Sequence, residues 1–188
     1  MSDSEFSTYL FHKPYGVLSQ FTQEHPGQQT LADYMNIEKD VYPIGRLDRD
    51  SEGLLLLSND KRLVNSILHP SKEKWKKYWI QVENIPSEIA LNKLKRGLTI
   101  RINKKEFKTK PAQIRVFKTP PNLPEREPPV RFRANIPTQW LEIRITEGKK
   151  RQVRKMLAAI NHPVLRLVRI AIDHYKIGDL KVGCYKKL

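Results

Sequence analysis

Apolar and polar positions along the chain predict many strands and few helices. Residues 75–83 alternate with a period of two, so that Tyr78, Ile80 and Val82 share one face of a strand. The unbroken leucine run at 54–57 is typical of a strand that is covered on both faces. The same patterns predict strands at 9–11, 17–19, 112–116, 140–146 and 164–172, and a basic hairpin at 99–102 and 107–110.

Three helices are predicted from capping residues and apolar stripes. Asn59-Asp60 supplies an N-cap for residues 61–68, and Ser87 caps residues 88–96. The third helix carries an apolar stripe and ends before a proline; its marker residues are Val153, Met156, Leu157, Ile160, Asn161 and Pro163. Strands outnumber helices and do not alternate with them regularly. We therefore expect an α+β fold with a mixed, mostly antiparallel sheet.

Length and punctuation indicate how the chain is organised. A chain of 188 residues corresponds to one domain, or to two lobes that share a core. Residues 119–139 contain six of the thirteen prolines and predict an extended surface loop. The acidic N-terminal residues do not resemble a signal peptide, and the apolar runs are too short for a membrane span. We expect a cytoplasmic monomer with a flexible segment at 1–7.

Charge is distributed unevenly along the chain. Residues 1–60 hold 4 Lys and Arg against 10 Asp and Glu, a balance of −6. Residues 61–188 hold 31 basic against 10 acidic groups, a balance of +21. The basic residues are interleaved with strand-like and helix-like patterns, so they belong to a folded surface and not to a charged tail. This excess favours a polyanionic partner.

Common catalytic and metal-binding signatures are missing from the sequence. It has no phosphate-binding or dinucleotide-binding glycine loop, and a single cysteine, Cys184, excludes a multi-cysteine metal site. The five histidines lack metal-site spacing, so we expect neither metal nor cofactor. A loop from Gly45 to Gly53 remains, in which Asp48 lies between two arginines. The pattern alone favours a capping or turn role for this aspartate.

Four ordered segments change that interpretation. The run GRLDRDSEGLLLLSND closely resembles the GRLD-x-x-[TS]-x-GLLLLTND motif of the RsuA-type pseudouridine synthases. The segments YLFHKPYGVLSQF, KKYWIQV and EGKKRQVRKMLAAINHPVLRLVRIAI resemble that family's opening strand, its K-x-Y strand and its third motif. The similarity runs from about residue 8 to the C-terminus. Many members also carry an S4 domain, and this chain is more similar to the RluE group, which lacks it.

The resemblance implies a fold, a reaction and a substrate. The pseudouridine synthase fold would occupy residues 8–188, with two lobes around a central catalytic cleft. The reaction would isomerise a uridine already in RNA, most plausibly in 23S ribosomal RNA, with base flipping and without cofactor or metal. Asp48 would be the nucleophile or the group that stabilises the sugar. Arg154 would pair with that carboxylate, and Tyr78 would stack on the uracil.

Further residues are expected to bind the substrate. Val153 would lie against the target base, and Arg46 would fill the space that a flipped base leaves. Lys76 belongs to the K-x-Y match. Lys149, Arg151 and Lys155 are suited to phosphate contacts, and Arg49 is suited either to phosphate or to solvent. Two alternatives stay open from the sequence: a non-catalytic RNA-binding protein, and the same reaction on small-subunit ribosomal RNA.

Overall fold

The computed structural model describes residues 6–131 and 133–188, which divide into two units. The first unit comprises residues up to 74 together with 170–188, and the second comprises 75–169. The chain therefore leaves the first unit once and returns to it. Within the described residues, no helix combines the length and apolar character that a membrane crossing needs.

The first unit is built on an antiparallel strand ladder. Its leading strands are β1, Thr8–Lys13, and β3, Glu52–Ser58, which pair in antiparallel register with Phe11 opposite Leu55. Short strands and one helix complete the unit: β2 Tyr42–Pro43, α1 Lys61–Leu68, β10 Tyr175–Lys176 and β11 Tyr185–Lys187. Strand β2 pairs with β3, and β11 pairs with β1.

The leucine run explains why β3 is central to the first unit. All four leucines are fully buried, as predicted for a strand covered on both faces. Leu55 and Leu57 pack with Phe11 and Leu31, whereas Leu54 and Leu56 pack with Ile67 of α1 on the other side. Burying apolar groups on both faces is the main contribution to the stability of such a strand.

The C-terminal segment closes the outer side of β1. Backbone hydrogen bonds join His12 N to Cys184 O at 3.0 Å and Gly183 N to His12 O at 2.9 Å. The His12 Nδ1 atom lies 2.7 Å from Leu180 O. Lys187 contacts Glu38, whose carboxylate also accepts the Tyr9 hydroxyl at 2.6 Å, and this bond is the largest of several that lower the pKa of Glu38 to about 2.

The second unit contains a three-stranded ladder, a hairpin and two helices. The ladder consists of β4 Lys76–Glu83, β8 Thr138–Ile145 and β7 Gln113–Val116, all antiparallel. The other elements are α2 Glu88–Arg96, the hairpin strands β5 Thr99–Ile102 and β6 Lys105–Lys108, and α3 Gln152–Ala158. Strand β9, Val164–Ile172, runs from the second unit into the first.

The expected α+β fold with a mostly antiparallel sheet is confirmed, and several boundaries differ from prediction. Residues 17–19 do not form a strand, because their backbone and side-chain groups bond to neighbouring loops instead. Strand β6 lies two residues earlier than predicted, and the proline-rich loop ends at 137 because β8 begins at Thr138. The short strands β2, β10 and β11 were not predicted.

The N-terminal segment, expected to be flexible over 1–7, falls partly outside the described residues. Residues 1–5 are not described. Ser7 is buried, its backbone N–H donates to Asn59 Oδ1 at 2.8 Å, and its hydroxyl donates to Glu38 Oε1 at 2.8 Å. Ser7 is therefore anchored to the first unit.

Candidate active site

Asp48 lies in the loop that joins β2 to β3 in the first unit. The Ile44 backbone N–H donates to Leu56 O at 2.7 Å before the loop, and the Ser51 N–H donates to Asp48 O at 3.0 Å after it. Asp48 is half-buried, and the neighbouring Arg46 is exposed. The loop thus presents a carboxylate at the end of a strand that is rigidly packed.

A buried lysine, Lys13, bonds to the backbone of the Asp48 loop. Lys13, at the end of β1, is fully buried, and its ammonium donates to Val17 O at 2.7 Å and to Pro14 O at 2.8 Å. A third, longer bond reaches Arg49 O at 3.4 Å, next to Asp48. A buried charge is tolerated only when it is well hydrogen-bonded, and these three carbonyls meet that need. Lys13 therefore connects the turn after β1 to the Asp48 loop.

Two further contacts connect the same turn to the Asp48 loop. The buried Ser19 hydroxyl donates to Leu47 O at 2.8 Å, and the Leu47 N–H donates to Ser19 Oγ at 3.1 Å. The Gly16 N–H donates to Arg49 O at 2.8 Å, and Arg49 Nε donates back to Gly16 O at 3.0 Å. Arg49, for which phosphate and solvent were both open, thus has a structural role in this loop.

Tyr78 lies on β4 in the second unit, where it is 7% exposed. Strand alternation places it on the same face as Ile80, as the sequence predicted, and Lys76 lies on that face as well. Burial lowers the pKa of Lys76, and the positive charge of Arg169 lowers it further. The Lys76–Tyr78 pair therefore occupies a partly desolvated, positively charged environment.

Helix α3 carries Val153 and Arg154. Val153 is buried, and Arg154 Nη1 donates to Val164 O at 3.2 Å. Arg151 precedes the helix in a left-handed conformation, with φ of 53°. The approach to the helix lies beside β4, since a Cβ added to Gly148 would stand 3.7 Å from Lys76 Cε. The K-x-Y segment and the third motif are thus brought together in the second unit.

The loop before α3 is fixed by Gln152, a residue to which the sequence assigned no role. Its side-chain N–H donates to Glu147 Oε2 at 2.6 Å, and its Oε1 accepts the Lys149 N–H at 3.0 Å. Glu147 also accepts the Lys110 N–H at 3.0 Å. Gln152 is buried, so these bonds hold the basic loop against the segment that follows the hairpin.

Two of the predicted phosphate contacts have partners within the protein. The Lys155 ammonium bonds to the Arg101 carbonyl, and the Lys149 ammonium lies 5.4 Å from the centre of the Phe107 ring. Both contacts tie the α3 region to the β5–β6 hairpin. Lys149 is nevertheless exposed, so its ammonium stays accessible to a ligand.

A pocket of about 250 Å³ lies elsewhere in the second unit, between the ladder and the proline-rich loop. It is lined by Gln81, Glu83, Val130, Arg131, Arg133, Ala134, Ile136, Pro137, Thr138 and Leu165. None of the predicted site residues lines it. Across residues 6–131 and 133–188, no cluster of three or more His, Cys, Asp and Glu side chains is arranged to hold a metal ion.

Comparison with known proteins identifies the family. The family model described as RNA pseudouridylate synthase matches residues 7–159, which include the Asp48 loop, β4 and α3. The chain belongs to the RNA pseudouridylate synthase family. The expected enzyme class, an RNA pseudouridine synthase, is thereby confirmed.

Relatives of this pseudouridylate synthase are found in several bacteria. A protein of Vibrio parahaemolyticus is 49% identical over 95% of this chain and 72% of its own length. One of Xanthomonas axonopodis pv. citri is 45% identical over 91% of this chain and 88% of its own length. Both are named ribosomal large subunit pseudouridine synthase E, as are two others at 47% and 43% identity.

A solved structure supports the fold. A crystal structure of a pseudouridylate synthase matches with a TM-score of 0.76 at 24% identity, covering 98% of this chain and 70% of that chain. The expected pseudouridine synthase fold is confirmed by this likeness.

Sequence reasoning located the loop and the two elements of this pseudouridylate synthase that carry the predicted residues, but it missed their supports. Lys13, Ser19 and Gln152 each hold a loop through backbone carbonyls or amides. One signal was available for Lys13, a charged residue at the end of an otherwise apolar strand and directly before a proline. Ser19 and Gln152 carry no comparable local signal.

Proposed function

We propose that this enzyme isomerises one uridine of large-subunit (23S) ribosomal RNA to pseudouridine. The observation that carries the substrate assignment is the shared name of four relatives at 43–49% identity over at least 91% of this chain. The strong positive charge of the second unit agrees with an RNA substrate: residues 75–169 hold 23 Lys and Arg against 7 Asp and Glu, a balance of +16.

The proposed reaction is an isomerisation in which atoms and electrons balance without a cofactor. The N1–C1′ bond of the uridine breaks, the uracil turns over, and a C5–C1′ bond forms. The hydrogen at C5 leaves as a proton, and N1 gains one. No oxidant, reductant or metal ion is required.

Asp48 is proposed as the nucleophile, or as the carboxylate that stabilises the sugar after the base has left. Lys13 and Ser19 bond to the backbone on either side of Asp48, and this supports the proposal because catalysis needs a well-positioned carboxylate. Arg154 is proposed to pair with it, because a guanidinium keeps a desolvated carboxylate ionised. Tyr78 is proposed to stack on the uracil.

The target uridine must leave its base stack to react, so the enzyme is proposed to bind a flipped nucleotide. Val153 would contact the extruded base, and Arg46, which is exposed, would fill the space that the base leaves. Lys76, Lys149, Arg151 and Lys155 would neutralise phosphates around it, with Arg49 acting mainly within its own loop. We further propose that the enzyme works as a monomer in the bacterial cytoplasm.

The test is tritium release from ribosomal RNA labelled at uridine C5. The intact enzyme is expected to release tritium from 23S but not from 16S RNA. Asp48→Ala and Arg154→Ala are each expected to abolish release while RNA binding is retained. Turnover in Arg154→Ala near that of the intact enzyme would overturn the proposed pairing with Asp48.

The alternatives give different results in the same assay. Release from 16S RNA alone would assign the chemistry to the small subunit. If the intact protein binds both RNAs but releases tritium from neither, it is an RNA-binding protein without this activity. A matched control, Lys39→Ala on an exposed loop of the first unit, is expected to behave like the intact enzyme.

A further inference from the structure

One face of the β7–β8–β4 ladder carries a cluster of charged side chains that the proposed reaction does not use. Cross-strand register places Lys77 opposite Arg144 and Trp79 opposite Glu142. On the other side of β8, Arg115 lies opposite Glu142. Directly opposed residues point to the same face of a sheet, and their neighbours point to the other. The cluster therefore lies on the face opposite to that of Tyr78.

Glu142 is the centre of this cluster and is 4% exposed. Its Oε1 accepts Arg144 Nε at 3.0 Å and Arg144 Nη2 at 2.9 Å. Its Oε2 accepts Arg115 Nη2 at 3.1 Å and the Trp79 indole N–H at 3.1 Å. One carboxylate thus holds two guanidinium groups in fixed orientations.

The cluster has more positive charge than Glu142 needs. Burial alone would raise the pKa of Glu142, but bonds from Trp79 and Arg144 and the nearby charge of Lys77 lower it overall, so the carboxylate is ionised near neutral pH. One negative charge therefore faces three positive charges, on Lys77, Arg115 and Arg144, and the balance is +2. An ion-pair network that only satisfied a buried carboxylate would not need the second and third cations.

The two arginines keep donors available for a ligand. Their side chains are 62% and 42% exposed for Arg115 and Arg144. A guanidinium has five N–H donors. Arg144 uses two on Glu142, and Arg115 uses one while it also lies 4.7 Å over the Phe117 ring. Among residues 6–131 and 133–188, neither guanidinium has another hydrogen-bond partner.

We propose that Arg115 and Arg144, held by Glu142, bind the phosphodiester backbone of RNA at a second site, away from the target uridine. The inference rests on the proposed RNA substrate. Arginine recognises phosphate through paired N–H donors, and orientation by Glu142 removes much of the conformational entropy that binding would otherwise cost. Lys77 adds a point charge beside the pair.

The position of the site predicts which RNAs use it. Strand β7 ends the ladder, and β4 lies two strands from it, a lateral separation of about 10 Å at the usual strand spacing. RNA that contacts both the Tyr78 face and Arg115 must therefore extend from one face of the sheet to the other. A short stem-loop is expected to contact one face only, whereas a long folded transcript can reach both.

The experiment compares binding of a long 23S transcript with that of a short stem-loop derived from it, in the Asp48→Ala background to prevent turnover. Arg115→Ala/Arg144→Ala is expected to weaken binding of the long RNA roughly tenfold and to reduce the slope of log K against log salt by about 1.4. Binding of the stem-loop is expected to change less than about twofold.

A control removes the same charge from another surface of the second unit. Lys93 and Lys95 are exposed on α2. Lys93→Ala/Lys95→Ala should weaken binding of the long RNA clearly less than Arg115→Ala/Arg144→Ala does. Equal weakening by the two double variants would mean bulk electrostatics and would overturn the proposal. Equal loss for the long RNA and the stem-loop would overturn it as well.

A milder variant separates binding from folding. Arg115→Gln leaves Arg144 on Glu142 and is expected to lower the urea midpoint of unfolding only slightly, because Arg115 is largely exposed, while it still loses about threefold in affinity for the long RNA. If Arg115→Gln bound RNA normally but no longer bound polyglutamate, the site would be assigned to an acidic polypeptide and the RNA proposal would be refuted. Absence of tritium release from any RNA would refute the proposed reaction. The binding comparisons would still show whether Arg115 and Arg144 bind RNA.

Discussion

At the scale of single residues, Lys13 determines whether the Asp48 loop keeps its shape. Lys13→Met retains the apolar stem but removes an ammonium that serves three backbone carbonyls. Arg49 O keeps its bond from the Gly16 N–H at 2.8 Å. The loss therefore falls on Val17 O and Pro14 O. Each buried carbonyl left without a partner costs about 1–3 kcal/mol. We expect the free energy of unfolding to fall by roughly 2–4 kcal/mol, as measured by urea denaturation, and tritium release to fall below the level explained by unfolding.

The control is Lys39→Met, which makes the same chemical change at an exposed position. It is expected to alter stability by less than about 0.5 kcal/mol. If Lys13→Met were as stable and as active as this control, the ammonium would have no role in positioning the loop.

Glu142 makes the stability of the enzyme depend on pH in a specific direction. Its pKa is lowered in the fold, so its ionised form stabilises the folded state. That contribution is complete above its ordinary pKa of 4.5 and is lost as the pH falls through the lower value of the folded state. In denaturation measured from pH 3 to 7, the intact chain should be more stable than Glu142→Gln at pH 6–7. This difference should shrink on acidification below about pH 4.5; a difference that is constant with pH would contradict the assignment.

Sequence patterns could not predict which side chains from distant parts of the chain contact the Asp48 loop. The GRLD run placed Asp48 in a loop before a buried strand, which the structure bears out. The roles of Lys13 and Ser19 were not predicted, because each side chain bonds to a backbone carbonyl that lies 36 or 28 positions away in the sequence. The position of Lys13 at the end of a strand and before a proline was a signal for a turn, but it did not show that the ammonium is buried.

At the scale of elements, Gly97 sets how α2 leads into the hairpin. Its φ and ψ of 78° and 146° are adopted almost only by glycine, and a Cβ there would lie 2.3 Å from the Thr109 carbonyl oxygen. Because that oxygen belongs to the backbone, it cannot move aside cheaply. Gly97→Ala is expected to lose about 3 kcal/mol or more of unfolding free energy in urea denaturation.

Gly27→Ala is the matched control, because Gly27 has a φ of 80° and open space around the position of a Cβ. It carries only the conformational cost, about 1 kcal/mol. A loss at Gly97 no larger than that at Gly27 would show that the contact with Thr109 relaxes freely.

Elements with strong local signals were predicted well, and those set by turn geometry were not. Helices α1 and α2 begin and end at the predicted residues, since Asp60 and Ser87 cap them as expected. Strand β6 was displaced because Asn103 and Lys104 both adopt positive φ, which makes a two-residue turn that starts the return strand early. Alternation of apolar residues alone does not fix the register of a hairpin whose outer positions are all polar.

At the scale of the whole molecule, the two units differ sharply in charge. The first unit holds 12 basic and 13 acidic residues, a balance of −1, against +16 in the second. Affinity for RNA should therefore fall steeply with salt and depend on cations of the second unit. Lys149→Ala/Lys150→Ala is expected to reduce the slope of log K against log salt by about 1.4, in fluorescence anisotropy titrations with a ribosomal RNA fragment.

The equivalent change in the first unit, Lys61→Ala/Lys72→Ala, removes two exposed lysines and is expected to leave that slope nearly unchanged. A binding constant that is flat across the salt range in the intact enzyme would contradict the electrostatic account altogether. The uneven charge was visible in the sequence, but its boundary was not, because the first unit includes residues from both ends of the chain.

The pairing of β11 with β1 has a consequence for how the protein is made. Residues 180–188 follow the whole second unit along the chain, yet they cover the outer edge of the strand that ends in Lys13. During translation, all residues of the second unit are added before these are, and residues 170–188 take about one to four seconds to add at 5–20 residues per second. Until β11 has been added, β1 has an open edge. Synthesis of the basic second unit is thus complete before β11 is available to cover β1, the strand whose Lys13 contacts the loop of the proposed nucleophile.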